Sequence, residues 1–164
     1  MTSKELFLKT VEGEQAIFIR VLKAVNQKKW GHKPHPRSRT GQGLVSLMAD
    51  ESLMLAKIIS KGVVDFGKSS AEPKPVKTLT KAVKDFEKGF NEVKKAVKKV
   101  SEKDWEKADA LMKGSFGEWK DKKGNMAWGF LFDLIHHRGQ LSTYLRPMGG
   151  KVPSIYGPSA DSSQ

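Results

Sequence analysis

The sequence predicts an all-α protein folded as a four-helix bundle, and two observations indicate this class. Four long segments, residues 2–27, 40–61, 74–101 and 124–147, repeat apolar residues at helical spacing. The third segment does so most regularly, with alternating steps of three and four through Val76, Leu79, Val83, Phe86, Phe90, Val93, Val97 and Val100. Such spacing keeps one apolar seam facing a partner helix, which favours the near-parallel packing of a bundle.

Local signals predict the ends of the first two helices. Thr2 and Glu5 fit a capping box at the start of the first helix. Thr40 is the predicted N-cap of the second helix, and Gly62 is its predicted terminator. Between them, residues 27–42 are basic and contain two prolines, which predicts a loop.

The remaining segments are predicted to connect and complete the bundle. Residues 62–75 contain glycine, serine and proline and are expected to link the second and third helices. Residues 102–124 carry apolar residues without a sustained period, which indicates an irregular excursion or a short helix. The last helix is predicted to be capped by Asn125 and stopped by Pro147. We expect one domain over residues 1–164, with residues 154–164 partly frayed.

Composition excludes several kinds of site. The chain has no cysteine, which excludes a disulfide framework, a thiolate zinc site and a cysteine nucleophile. It has no GxSxG, P-loop or GxGxxG motif. No apolar run approaches the roughly 20 residues that span a bilayer. No signal-like segment opens the chain, so we expect a cytoplasmic protein that does not engage a membrane.

The formal net charge of +12 is the main feature that favours a nucleic-acid partner. Lysines fill the outward positions of the third helix, and the loop around Trp30 and Arg37 is also basic. Outward lysines are ordinary on an amphipathic helix, and no nucleic-acid-binding motif is present. Nucleic-acid binding therefore remains the least favoured of the alternatives.

The last helix carries the residues that suggest chemistry. Asp133 and His137 are four residues apart, which places a carboxylate and an imidazole on one helical face. Glu51 is an acid on the apolar face of the second helix, where a buried carboxylate needs a partner. Gln140 and Arg138 are candidates to support an imidazole ligand. Asp133 and His137 could equally form a buried pair without a metal.

The other histidines have less defined positions. His136 faces about a hundred degrees away from His137 on the helix, which favours a structural or interface role. His32 and His35 lie in the basic loop and could reach a site in the bundle. No spacing in the sequence fixes that geometry.

The run IHHRGQLSTYLRPMGGKVPSIYGPSAD resembles the C-terminal helix and tail of the DinB/YfiT-like family. The matching residues are His137, Arg138, Gly139, Gln140, Tyr144, Leu145 and Arg146. Residues 34–51 resemble the entry into the family's second helix more weakly. The resemblance implies a four-helix bundle that commonly holds a divalent metal through three histidines.

The chain departs from that family pattern at two positions. Asp133 stands where the family has the first histidine of the last helix. Leu47, or Met48 if the alignment slips by one, stands where the second-helix histidine is expected. An aspartate can bind a metal and a leucine cannot. Glu51 lies one turn beyond Leu47 and is the candidate third ligand beside Asp133 and His137.

The resemblance implies a metal-dependent hydrolase or small-thiol transferase with an incomplete metal site. One imidazole with one or two carboxylates suits zinc, nickel, manganese or iron. In the alternative of a metal-free bundle, no metal is bound. We expect a small-molecule substrate, which no residue identifies, and a homodimer. The alternatives are a metal-free bundle that binds small molecules or serves as an interaction scaffold, and a basic nucleic-acid-binding protein.

Overall fold

The computed structural model describes residues 1–67, 73–115 and 117–162. Its helices are α1 (Ser3–Lys23), α2 (Gly41–Lys61), α3 (Leu79–Lys99), α4 (Glu102–Lys107) and α5 (Lys123–Leu145). Its strands are β1 (Val63–Asp65), β2 (Asp109–Gly114) and β3 (Gly117–Lys122). A single 3-10 turn, Gln27–Lys29, interrupts the basic loop between α1 and α2. The chain is therefore mostly helical.

The four long helices enclose one apolar core. α1 contacts α3 and α5, and α2 contacts the same two helices, so the four form a closed ring around the core. Aromatic rings fill its middle, where Phe18 lies 5.1 Å from Phe86 and 5.3 Å from Phe90 between ring centroids. At one end, the buried Trp105 of α4 lies 5.0 Å from Phe7 of α1. The short α4 thus closes that end of the core, and it is the short helix that was one of the two alternatives for residues 102–124.

Capping explains where the helices begin. The capping box of Thr2 and Glu5 is confirmed, since the Thr2 hydroxyl accepts from Glu5 N and the Glu5 carboxylate accepts from Thr2 N. Thr40 caps α2 as predicted, and Gly62 ends it with a φ of 72°. Asn125 is not the cap of α5, because that helix already begins at Lys123. The Asn125 amide instead donates to the Asp121 carboxylate at 3.1 Å.

The third helix is shorter than predicted but has the predicted face. It begins at Leu79, because the Thr78 hydroxyl accepts from Lys81 N and caps it there. The central seam residues are buried, namely Val83, Phe86, Phe90, Val93 and Val97. The predicted outward lysines are exposed, which agrees with an amphipathic surface.

The fold is not purely α-helical as predicted, because a three-stranded sheet of order β1-β2-β3 packs beside the helices. β1 and β2 run parallel with Val63 opposite Leu111, and α3 and α4 form the crossover between them. β2 and β3 form a hairpin in which Met112 faces Trp119. The strands are short and β3 carries several charges, so they lack the apolar alternation that marks a strand in sequence.

A buried charged cluster holds α5 against α1 and the C-terminal segment. Arg138 is 2% exposed and donates hydrogen bonds to the carboxylate of Glu14 and, at 2.6 Å, to the hydroxyl of Tyr156. The Tyr156 hydroxyl donates to the same carboxylate at 2.7 Å, and the guanidinium lies 4.6 Å from the ring centroid of Phe18. Every partner of this buried cation is thus an acceptor or an aromatic face, as burial requires.

Within the described parts of the chain, none of the helices combines the length and the hydrophobicity needed to cross a bilayer. The C-terminal segment is described as far as Ser162, and the Asp161 carboxylate accepts from Arg146 Nε and Val152 N at 2.9 Å each. Residues 163 and 164 of the predicted frayed tail lie outside the described residues.

We predict that Gly89→Ala lowers the free energy of unfolding by about 1–3 kcal/mol, as overpacking a core does. A Cβ on Gly89 would lie 2.8 Å from the backbone carbonyl carbon of Ser52 on α2, so α2 and α3 could not keep their present separation. Urea unfolding measures the effect. Gly13→Ala, at an exposed position of α1, is the control, since its added methyl meets no atom within 4 Å and should stabilise by up to about 1 kcal/mol. Equal stabilities of Gly89→Ala and the wild type would contradict the assigned packing.

Candidate metal centre

The contact between α2 and α5 brings together Glu51, Asp133 and His137. Asp133 and His137 lie one turn apart on α5, and Glu51 faces them from α2. The imidazole Nε2 is 3.4 Å from Glu51 Oε1 and 3.5 Å from Asp133 Oδ1. One donor atom from each residue lies within 4.8 Å of the other two. The structure thus assembles the three residues that the sequence singled out.

The carboxylate of Glu51 is the most enclosed member of this cluster. Glu51 is 7% exposed, and its Oε2 atom is buried without a hydrogen-bond partner. A buried carboxylate oxygen that has no donor is costly, because the water that it loses is not replaced. A cation among the three side chains would satisfy it.

Gln140 fixes the orientation of the His137 ring. Nδ1 of His137 lies 3.0 Å from Oε1 of Gln140 one turn further along α5. That oxygen is an acceptor, so Nδ1 carries a proton and Nε2 faces the two carboxylates. A metal-binding imidazole commonly has such a partner on its other nitrogen.

Electrostatics of the cluster favour a positive charge at its centre. Burial raises the pKa of Glu51, and the nearby Asp133 carboxylate raises it further, although His137 opposes the shift. Burial alone would lower the pKa of His137, but its hydrogen bonds with Glu51 and Gln140 and the neighbouring carboxylate charges outweigh burial and raise it. Glu51 and His137 thus keep their protons to a higher pH than these groups ordinarily do, and a divalent cation could replace those protons.

A cavity of about 270 Å³ adjoins the three side chains. Its remaining walls come from α2, α5, β2 and two loop residues, namely Leu47, Met54, Phe130, Met112, Arg39 and Phe66. Most of these side chains are apolar, whereas the three donors share one side. The arrangement resembles a small-molecule site with few polar groups placed among apolar walls.

The family-pattern positions on α2 are occupied by apolar side chains. Leu47 lines the cavity, whereas Met48 is fully buried in the main core. A ligand at either position is therefore missing, and Glu51 supplies the α2 donor one turn later. Among the described residues, this is the one group of three acidic or histidine side chains close enough to share a metal ion.

The other candidate residues lie elsewhere. His35 is exposed and its Nδ1 accepts from Arg37 N, and His32 packs edge-on to Tyr144 at 5.9 Å between centroids. His136 is exposed beside His137, with ring centroids 5.4 Å apart. Arg138 does not support the cluster, because it points to Glu14 on α1.

Sequence reasoning missed the walls that the sheet contributes. Phe66, directly after β1, lies in the predicted connection of residues 62–75, and Met112 on β2 lies in the predicted irregular excursion or short helix of residues 102–124. It also missed Glu14 as the partner of Arg138. Its signal was present, since Glu14 is an acid on the apolar face of α1 between Val11 and Phe18.

We predict that the pKa of His137 lies above 6.5 in the metal-free protein and that Glu51→Gln lowers it. The variant removes a carboxylate that raises this pKa and leaves burial, which lowers it. Because the folded-state pKa is raised, the stabilisation from His137 is complete below the unfolded value and is lost as the pH rises through the folded one. An NMR titration of the imidazole resonances measures the change.

Asp50→Asn is the matched control for that titration. It removes a carboxylate from the adjacent position of α2, and Asp50 is not part of the cluster. We expect it to leave the titration of His137 nearly unchanged. Equal His137 pKa values in Glu51→Gln and the wild type would contradict the geometry.

Comparison with known proteins agrees with the fold. The model of the DinB family matches residues 1–164, and no curated protein matches the sequence. A DinB-like protein from Bacillus subtilis, YjoA, has a similar structure, with a TM-score of 0.68 at 17% sequence identity over 92% of this chain and 96% of that chain. Similarity at this identity shows the fold alone. Since the family model spans the whole sequence, the chain belongs to the DinB family.

Proposed function

We propose that the protein is a metal-dependent enzyme, a hydrolase or a small-thiol transferase, whose metal is held by Glu51, Asp133 and His137. The observation that carries the proposal is the buried Oε2 of Glu51, which has no hydrogen-bond partner beside two further donors. Membership of the DinB family supports the same reading, since members commonly bind a divalent metal.

The donor set suits a borderline or hard divalent ion. One imidazole nitrogen and carboxylate oxygens favour zinc, nickel, manganese or iron over ions that prefer sulfur. Three protein donors leave coordination positions for a water molecule or a substrate. The departure from the three-histidine pattern thus changes the donor types without removing the third donor.

When bound, the ion would lower the pKa of a coordinated water or thiol and so supply a nucleophile near neutral pH. The surrounding residues have separate tasks. Gln140 keeps the proton on Nδ1 of His137, so that Nε2 stays directed at the carboxylates. Leu47, Met54 and Phe130 give the cavity apolar walls, and Arg39 adds a positive charge to its lining.

The two reaction classes use the same site differently. A hydrolase needs space for one water and one substrate group, whereas a thiol transferase needs space for two substrates. The cavity of about 270 Å³ holds a small acyl or thiol group, and a larger substrate must extend beyond it. The reaction class depends on whether the space beyond this cavity accommodates one substrate or two.

We predict that protein purified without an affinity tag or chelator contains about one equivalent of a transition metal. We expect Glu51→Gln, Asp133→Asn and His137→Ala each to lower the metal content severalfold or more, because each removes one of three ligands. Elemental mass spectrometry of the dialysed proteins measures it.

His136→Ala is the matched control for these variants. It removes the neighbouring imidazole, which is exposed and lies outside the cluster. We expect it to retain the metal. The proposal fails if the wild type contains no metal even after incubation with zinc, nickel, manganese or iron salts, or if His136→Ala loses as much metal as His137→Ala.

A further inference from the structure

A second cavity, of about 450 Å³, lies beside the metal centre. The β2–β3 hairpin contributes Met112 and Trp119 to its walls, and α5 contributes Gly129, Phe130 and Phe132. We call this cavity the apolar groove. Its polar lining comes from Asp133 and His136, and its described lining residues include no lysine or arginine. In a chain of net charge +12, this groove does not favour a highly anionic ligand.

The apolar groove adjoins the metal-centre cavity. Met112, Phe130 and Asp133 line both, so the two spaces share a wall of two apolar side chains and one candidate ligand. The side chain of Asp133 is 55% exposed and stands at their junction. A molecule that binds at the three donors can therefore extend past Asp133 into the apolar groove.

Two aromatic side chains of the groove remain exposed. Trp119 is 45% exposed and Phe132 is 61% exposed, and the ring of Phe132 stacks on Trp128 with centroids 5.6 Å apart. Clustered exposed aromatic surface beside a polar site is typical of a binding groove. The hairpin holds Trp119 on the same face as Met112, because the two residues are directly opposite in the antiparallel pair.

Gly129 lets the Trp119 indole lie close to α5 at one edge of the groove. A Cβ at this position would already lie 3.5 Å from the Trp119 ring, which is van der Waals contact. A larger side chain would therefore displace the indole or extend into the groove, which Gly129 lines.

We propose that the substrate combines a polar group, which binds at the metal centre, with an alkyl chain or aromatic ring, which occupies the apolar groove. The inference rests on the proposed function, since the polar group is placed by the metal. The expected substrate is an uncharged or weakly charged amphiphile with one metal-binding end, a class that the three donors alone do not identify.

Straight-chain hydroxamates of two, four, six and eight carbons test the proposal, because their common head group binds metals and only the chain differs. Isothermal titration into zinc-loaded protein should show affinity rising roughly fourfold per added methylene until the groove is filled. We expect Gly129→Leu and Trp119→Ser to flatten this dependence. In both variants the affinity for acetohydroxamate, which is too short for the groove, should change by less than about fourfold, the effect of one methylene.

Leu6→Ser is the matched control, because it removes an equally exposed apolar side chain from α1, outside the groove. It should keep the full dependence on chain length. If acetohydroxamate binds but longer chains bind no better to the wild type, the inference is wrong. It is also wrong if Phe132→Ser converts a dimer to a monomer in sedimentation experiments while chain length has no effect, since the groove is then the interface of a homodimer.

A measurement without metal separates the groove from the proposed function. Protein labelled with 5-fluorotryptophan gives one fluorine resonance for each of its four tryptophans. We expect 1-octanol to shift the Trp119 resonance saturably and to leave that of the buried Trp105 in place, with the shift lost in Gly129→Leu. If the protein binds no metal but this shift occurs, the apolar groove stands and the enzyme proposal falls. If Trp119 does not respond to octanol, the groove proposal falls whatever the metal content.

Discussion

The buried carboxylate of Glu51 at the contact between α2 and α5 is the constraint on which the candidate site depends. Removing a carboxylate from water costs several kcal/mol unless charges and hydrogen bonds replace the solvent. His137 replaces part of the lost solvent by its contact with Glu51 Oε1, whereas Oε2 has no hydrogen-bond partner. The contact of Glu51 with His137 therefore joins α2 to α5, beside the Asp133 carboxylate, in an arrangement that either extra protons or a cation completes.

The adjacent residues His137 and Arg138 of α5 have different roles, one in the candidate site and one in the packing of the helix. His137 faces α2 and the cavity, and Arg138, about a hundred degrees around the helix, is buried against Glu14 of α1. Because Arg138 has partners on α1 and in the C-terminal segment, its cluster sets the rotation of α5 about its axis. That rotation directs Asp133 and His137 towards Glu51, so a structural ion pair on one face positions the candidate ligands on the other.

Local sequence patterns predicted the helices, but they could not predict which distant segments pair. Thr2, Thr40 and Gly62 act within a few residues, and the structure confirms each of them. The pairing of Val63 with Leu111 depends on residues 48 positions apart, and short charged strands carry no signal for it. For the same reason the sequence indicated that Glu51 shared a face with the site, but not that Met112 would form a wall of two cavities.

The proposed metal centre is tested most directly by an anomalous diffraction map of crystals grown from metal-loaded protein, recorded at the absorption edge of the bound metal. We expect one strong peak between the carboxylates of Glu51 and Asp133 and Nε2 of His137, at about 2.0–2.2 Å from each donor atom if the metal is zinc. A peak at other residues, or none in crystals whose protein contains the metal, would contradict it.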